Sequence, residues 1–322
     1  TENQDQAIEL LRQSLVDPRF DEDAIERVRA QIESGIKSQA KDPSDIASAA
    51  FNAEAYPTHP YGSDDLGTLE TIASVTAADI RDAHARGLTR NRVLVAAVGD
   101  ITAAQLGVLV DRLLQDLPVS DDIEMPTYVD DALDAGVKVI DFPTPQSTIL
   151  FGHTGIPRKD DDFFAAYLLN HILGGSGFES RLMTEVREKR GLTYGIGSFL
   201  ASRQYGDLMM GQVATANNTA ADTIQVITQE WRKIADQGVT QAELDAAKTY
   251  LTGAYPLRFD GNGPIANILA GMQFQGLSPD YIKTRNDQVN AVTMEDIQRV
   301  AKRLFQPEKL RFIVVGQPES LD

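Results

Sequence analysis

The stretch Ser180–Tyr194, SRLMTEVREKRGLTY, is the most informative in the chain. It reads as a charged amphipathic helix, a break at Gly191 and the start of a strand. Its plainest use is a solvated helix end. Elsewhere the side chains that usually carry chemistry are sparse. The four histidines, His59, His84, His153 and His171, never fall three or four residues apart, the spacing that sets two imidazoles on one helix face. His171, in Leu-Leu-Asn-His-Ile-Leu, reads as helix-end packing, and His59 as a surface turn residue. With no cysteine, disulfides, thiolate catalysis and cysteine-zinc sites are excluded. Neither a nucleophile elbow nor a Walker loop is present. The run Gly174-Gly175-Ser176-Gly177 precedes a helix and could cradle an anion. A lone glycine-rich turn more often ends one helix and frees the chain to start the next.

These residues must be positioned by a chain of 322 residues, 42% hydrophobic and 24% charged. That suits a soluble globular protein with room for two domains. The apolar run Val93 to Val98 is far too short to span a bilayer. The 47 acidic residues against 30 basic ones give a net charge of −17. Nucleic acid is therefore disfavoured as a partner, because its phosphates need a basic face. Absence of cysteine fits a bacterial exported protein, so a periplasmic location is expected.

An internal repeat organises the chain. Val75–Asp100 aligns without a gap on Val292–Gln317, at an offset of 217. Each copy reads as a Thr-capped helix, a turn and a buried strand ending in Val-Gly. Upstream, Phe20–Phe51 and Val239–Ala270 both read as helix, break, helix at an offset of 219. The pattern predicts an α+β fold of two similar domains, each a mostly antiparallel sheet with helices packed on one face. Residues 1–118 form the first, 119–134 an acidic linker, and 135–322 the second. Strands are expected at Val93–Val98, Val137–Phe142, Ser147–His153, Tyr194–Arg203 and Gly206–Thr215, and an amphipathic helix at Asp222–Ala235. A long strand-and-helix region precedes the second copy, whereas 19 residues precede Phe20. The first domain is therefore expected to lack its N-terminal part.

The segment SRLMTEVREKRGLTYGI resembles the C-terminal-domain signature of the pitrilysin/insulinase-type zinc peptidases, which include the mitochondrial processing peptidases. The resemblance extends to FDEDAIERVRAQI…DPSD, to HPYGSDDLGTLETIASVTAADI and to both segments ending in Val-Gly. It implies paired α+β domains closing like a clamp on a peptide, and it assigns Arg187 and Tyr194 to substrate binding. A guanidinium and a phenol could converge there on one carbonyl oxygen and stabilise the charge it gains in hydrolysis. The peptide itself would add as a strand to a sheet edge. The family's zinc motif, H-x-x-E-H, is absent, and its distal glutamate falls in register on Gly35, which has no side chain to bind metal. Val28 replaces a second acidic position, and Glu33 sits about 200° away around the helix. The resemblance thus implies a chain with no catalytic residue and no metal ligand of its own. It would hold peptide for a zinc-bearing homologous subunit, or act as a homodimer. The alternatives are a self-sufficient zinc peptidase whose H-x-x-E-H lies upstream, and a structural or peptide-binding homologue with no role in proteolysis.

Overall fold

The computed structural model describes residues 3–120, 123–175 and 177–321. Twelve α-helices occur among them: α1 (Gln4–Val16), α2 (Glu22–Gln39), α3 (Pro43–Ala55), α4 (Leu69–Ser74), α5 (Ala77–Gly87), α6 (Ala103–Leu114), α7 (Phe163–Asn170), α8 (Ala220–Gln237), α9 (Gln241–Ala254), α10 (Asn262–Phe274), α11 (Tyr281–Ala291) and α12 (Met294–Leu304). The strands are β1 (Gly136–Asp141), β2 (Gln146–Thr154), β3 (Thr193–Ser202), β4 (Asp207–Ala216) and β5 (Arg311–Gly316). Among the described residues no helix is long and apolar enough to cross a membrane.

The chain divides into two compact units, and neither is a single stretch of sequence. The first comprises Thr1–Ile36, Leu66–Met125 and Pro256–Ile282; the second comprises Lys37–Asp65, Pro126–Tyr255 and Lys283–Asp322. The contiguous division expected from the repeat is thus broken by two segments, one holding α3 and the other α10. Part of the expected linker is also fixed in place. Val129 N–H bonds Tyr205 C=O, and the Tyr128 hydroxyl donates to Asp207 at 2.9 Å.

The second unit holds a five-stranded sheet in the order β1-β5-β2-β4-β3, parallel only between β1 and β5. Its central strands are buried on both faces, which is why they read as apolar runs. Ile149 and Phe151 of β2, Met209 and Val213 of β4, and Phe312 and Val314 of β5 face the main helical layer, with Leu168, Trp231 and Val300 among its core residues. The alternate residues, Leu150, Leu208, Met210, Ile313 and Val315, pack with Phe51, Ala47 and Ala55 of α3. Helices therefore lie on both faces, although α3 covers only part of the second. Gly211 belongs where it is because a Cβ there would fall 2.3 Å from the Phe151 ring.

The first unit is helical, and no strand occurs in it among the described residues. Residues 93–98, expected as a strand, have no ladder partner, and Leu94 and Val95 are 49% and 37% exposed. Apolar sequence favours extended backbone, but a strand exists only through its pairing. The repeat nonetheless persists in local conformation. Both α5 and α12 open on a reciprocal cap, Thr76 with Asp79 and Thr293 with Asp296. Both copies then make a 3₁₀ turn at matching positions, Arg90–Arg92 and Pro307–Lys309. The helices α3 and α10 match end to end at the offset of 219. In the first unit, Gln273 of α10 donates to Val95 C=O at 3.0 Å.

One buried pair in the second unit makes its stability depend on pH. Trp231 Nε1 donates to His153 Nε2 at 2.9 Å, while His153 Nδ1 donates to Thr154 C=O at 2.7 Å. The ring is neutral in this arrangement, and burial pushes its pKa below the usual 6.5. As pH falls through 6.5 the unfolded chain takes up a proton that the folded ring resists, so stability present above 6.5 is lost below it. His171, buried and stacked on Tyr250, shifts the same way through burial. Thermal unfolding should therefore show a midpoint that drops between pH 7 and 5, and His153→Gln should flatten that drop. Parallel pH curves for the two proteins would contradict this.

Candidate functional site

The site is built on the segment that joins α7 to β3. The turn His171–Gly175 ends α7 with widened helical geometry, and Gly174 brings it directly onto β3. A Cβ at Gly174 would lie 2.4 Å from Ser198 Oγ and 2.6 Å from Ser198 N. Asn170 and Ser198 bond each other there, Ser198 Oγ donating to Asn170 Oδ1 at 2.9 Å. The glycine run thus ends one helix, and Ser176 lies outside the described residues. After a short 3₁₀ turn, Gly177–Glu179, a widened helix, Met183–Glu188, leads through a turn to Gly191, whose φ of +63° suits glycine. Leu182, Met183 and Val186 bury one face of it in the core. Arg181 ties it to the start of α9, bonding Glu243 through Nε at 2.7 Å and Nη2 at 2.9 Å.

Gly191 then turns the chain into β3, which opens irregularly. Pairing with β4 slips between Thr193 and Ile196. Thr193 Oγ1 donates to Ala214 C=O at 2.6 Å and accepts from Gly195 N–H at 3.1 Å. This bulge turns Tyr194 outward, leaving it 87% exposed. Arg187, half-buried on the preceding helix, places its guanidinium carbon 5.0 Å from the Tyr194 ring centre. The two residues singled out in the sequence are therefore brought together. A third was missed: Phe178 lies 4.5 Å from the same guanidinium carbon and is 63% exposed. Its signal was an aromatic residue inside a glycine-rich loop just before the signature.

The outer edge of β3 is not free for an added strand along its whole length. Ile196 N–H donates to Met183 Sδ at 3.4 Å, and Ser198 C=O accepts from Asn170 Nδ2 at 3.3 Å. The open surface lies instead on a face of the sheet. A groove of about 630 Å³ is lined by Tyr194, Gly195, Gly197, Gln146, Thr148 and Gln212, among others. By strand alternation Thr148 and Gln146 share the face of Leu150, the face that α3 covers only in part. Beside Tyr194 the sheet thus offers a groove on its face, with Gln146, Thr148 and Gln212 among its lining residues.

Each histidine has a structural use. His84 Nε2 donates to Leu15 C=O at 2.9 Å, and His59, half-buried rather than a plain surface residue, caps the turn Pro60–Gly62 by accepting from Tyr61 N–H. His153 and His171 are buried as described. Among the described residues no group of three or more His, Asp or Glu side chains is placed to hold a metal ion. Gly35 sits on α2, where an added Cβ would be 3.3 Å from Leu66, and Val28 lines an apolar groove with Phe20, Ile32 and Ile80.

The sequence profile described as the peptidase M16 inactive domain matches residues 74–251. The chain belongs to the peptidase M16 family. Among curated relatives of this M16 chain, the non-peptidase homolog YmxG of Helicobacter pylori is 26% identical over 99% of it and 74% of the relative. An uncharacterized zinc protease of Mycobacterium leprae is 26% identical over 93% of it and 68% of the relative. The mitochondrial-processing peptidase subunit beta of Neurospora crassa is 22% identical over 98% and 68%. A crystal structure of a peptidase M16 inactive domain from Pseudomonas fluorescens superimposes with a TM-score of 0.86 at 28% identity, covering 100% of this chain and 77% of that one. The M16 fold expected from the signature is thereby established.

The Arg181–Glu243 bond can be tested on its own. Burial alone would raise the Glu243 carboxyl, but the bonds from Arg181 and Thr240 outweigh it and hold the pKa at about 2. The stability this contributes is present above the ordinary value of 4.5 and is lost as pH falls toward 2. Arg181→Met should cost about 1–3 kcal/mol near neutrality, with the deficit to wild type narrowing below pH 4.5. A deficit independent of pH, measured by chemical denaturation, would show that packing and not the ion pair is responsible.

Proposed function

We propose that this M16 chain is the substrate-binding, zinc-free subunit of a two-chain zinc endopeptidase, exported to the periplasm. The observation that carries the reading is the pairing of Arg187 with Tyr194, which itself lines the groove. An extended peptide laid over Gln146, Thr148 and Gln212 can hydrogen-bond to their side chains through its backbone. A carbonyl near Tyr194 then meets a phenol donor and a guanidinium, both suited to a developing negative oxygen. Zinc in a homologous partner would supply the activated water. This chain supplies binding, orientation and polarisation of the carbonyl. The printed names of two relatives, a non-peptidase homolog and a processing-peptidase subunit, are in keeping with such a division of labour.

The name of a third relative, a zinc protease, favours a second reading, a self-sufficient peptidase with its metal motif upstream. A wholly structural role is the third. The test is peptide hydrolysis by this chain combined with a zinc-bearing member of the same family, with zinc measured in each subunit separately. Tyr194→Phe should lower kcat by about 10²- to 10³-fold with folding and assembly intact. Arg187→Ala should weaken both binding and turnover. Zinc should remain with the partner after dialysis. Stoichiometric zinc retained by the full-length protein without a partner supports the self-sufficient reading. Unchanged kcat for Tyr194→Phe, in a complex whose activity depends on this chain, removes the proposed role.

A further inference from the structure

We infer that Phe178 is a positioning residue of the same site, one that acts on bound peptide through the guanidinium of Arg187. The inference rests on the substrate-binding reading above and adds a residue that neither the signature nor the family resemblance singled out. The signature segment carries four cations: Arg181, Arg187, Lys189 and Arg190. Three have carboxylate partners. Arg181 bonds Glu243, while Lys189 and Arg190 bond Glu185 at 2.6 and 2.7 Å. Among the described residues Arg187 has none. What it meets is two aromatic rings, Phe178 at 4.5 Å and Tyr194 at 5.0 Å, both within the range of attraction between a cation and a ring face.

A guanidinium held this way differs from one held by a carboxylate. The ring attracts the positive charge without taking up hydrogen-bond donors, so the N–H groups around its rim stay available for an incoming carbonyl. The rings also limit the rotamers of a long side chain, which would otherwise lose about 2 kcal/mol of freedom on binding. Phe178 is the nearer ring, and at 63% exposed it contributes little to the core. Its burial against Arg187 is therefore its main structural use. Tyr194 serves both as a ring for Arg187 and as a donor in its own right, whereas Phe178 has no polar group and can act only by placing its neighbour.

The test is binding of a short, end-blocked, unstructured fluorescent peptide to the full chain, read by anisotropy, across a mutant cycle. Phe178→Leu should weaken binding about 3- to 10-fold, and Phe178→Trp, which keeps a ring face, should stay near wild type. In an Arg187→Ala background Phe178→Leu should cause no further loss. Circular dichroism and thermal midpoints of the Phe178 variants should match wild type. If Phe178→Leu costs as much without Arg187 as with it, Phe178 touches the peptide directly and the inference fails. If Arg187→Ala weakens binding and Phe178→Leu does not, the inference fails while the site stands. If Arg187→Ala binds as wild type does, the site itself is wrong and the inference falls with it.

Discussion

The turn that closes α7 lies directly on β3, and the form of the site depends on that contact. Only glycine at position 174 lets the two backbones approach, since a Cβ would overlap Ser198. From that approach follow the Asn170–Ser198 bonds, the closure of the β3 edge at Ser198, and the burial of Met183 where its sulfur accepts from Ile196 N–H. With the edge occupied at Ile196 and Ser198, open surface remains on the partly covered sheet face. The bulge at Thr193 brings Tyr194 out beside it. Packing between a helix end and a strand thus closes part of the β3 edge and leaves the groove on the sheet face open.

Charge is distributed along the same segment with a consistent result. Glu185 draws in Lys189 and Arg190, and Glu243 draws in Arg181. The Arg181–Glu243 pair fixes the segment to α9, and the Glu185 pairs satisfy Lys189 and Arg190 locally. Of the segment's cations Arg187 is the one held by rings, and among the described residues its hydrogen-bonding capacity is not spent inside the protein. Tyr194, which shares that contact, is nearly all exposed. A structural arginine more commonly ends on a carboxylate or a carbonyl, as Arg29 does on Val75 C=O at 2.7 Å.

Much of the second unit was legible in the sequence because its signals are local. Buried strands such as β2 and β5 are apolar runs, the hairpin of β3 and β4 is bounded by turn residues, and Thr-capped helices announce their first turn. The misreadings share one physical origin. Residues 93–98 carry the same local signal as β5 and even the same flanking 3₁₀ turn, yet pairing is a tertiary event that no local signal reports. Likewise α3 and α10 match in length and offset, but which sheet or helix each covers is fixed by long-range packing. Phe51 of α3 reads as an ordinary core residue and gives no hint that it belongs to the sheet more than ninety residues later. Arg187 and Tyr194 were legible through the resemblance of their segment to a known signature. Phe178 was not, because nothing in a glycine-rich loop tells which side chain its aromatic residue will meet.

The central claim is that peptide lies over the polar groove beside Tyr194. Site-specific photo-crosslinking tests it most directly. A photoreactive side chain would replace Gln212 on the groove floor in one protein, and Val137 on the far edge strand β1 in another, each then irradiated with a labelled unstructured peptide. The account predicts crosslinking from position 212 that unlabelled peptide competes away and that Arg187→Ala diminishes, with background levels from position 137. Competed crosslinking from position 137 and none from position 212 would place the peptide on the opposite edge of the sheet and contradict it.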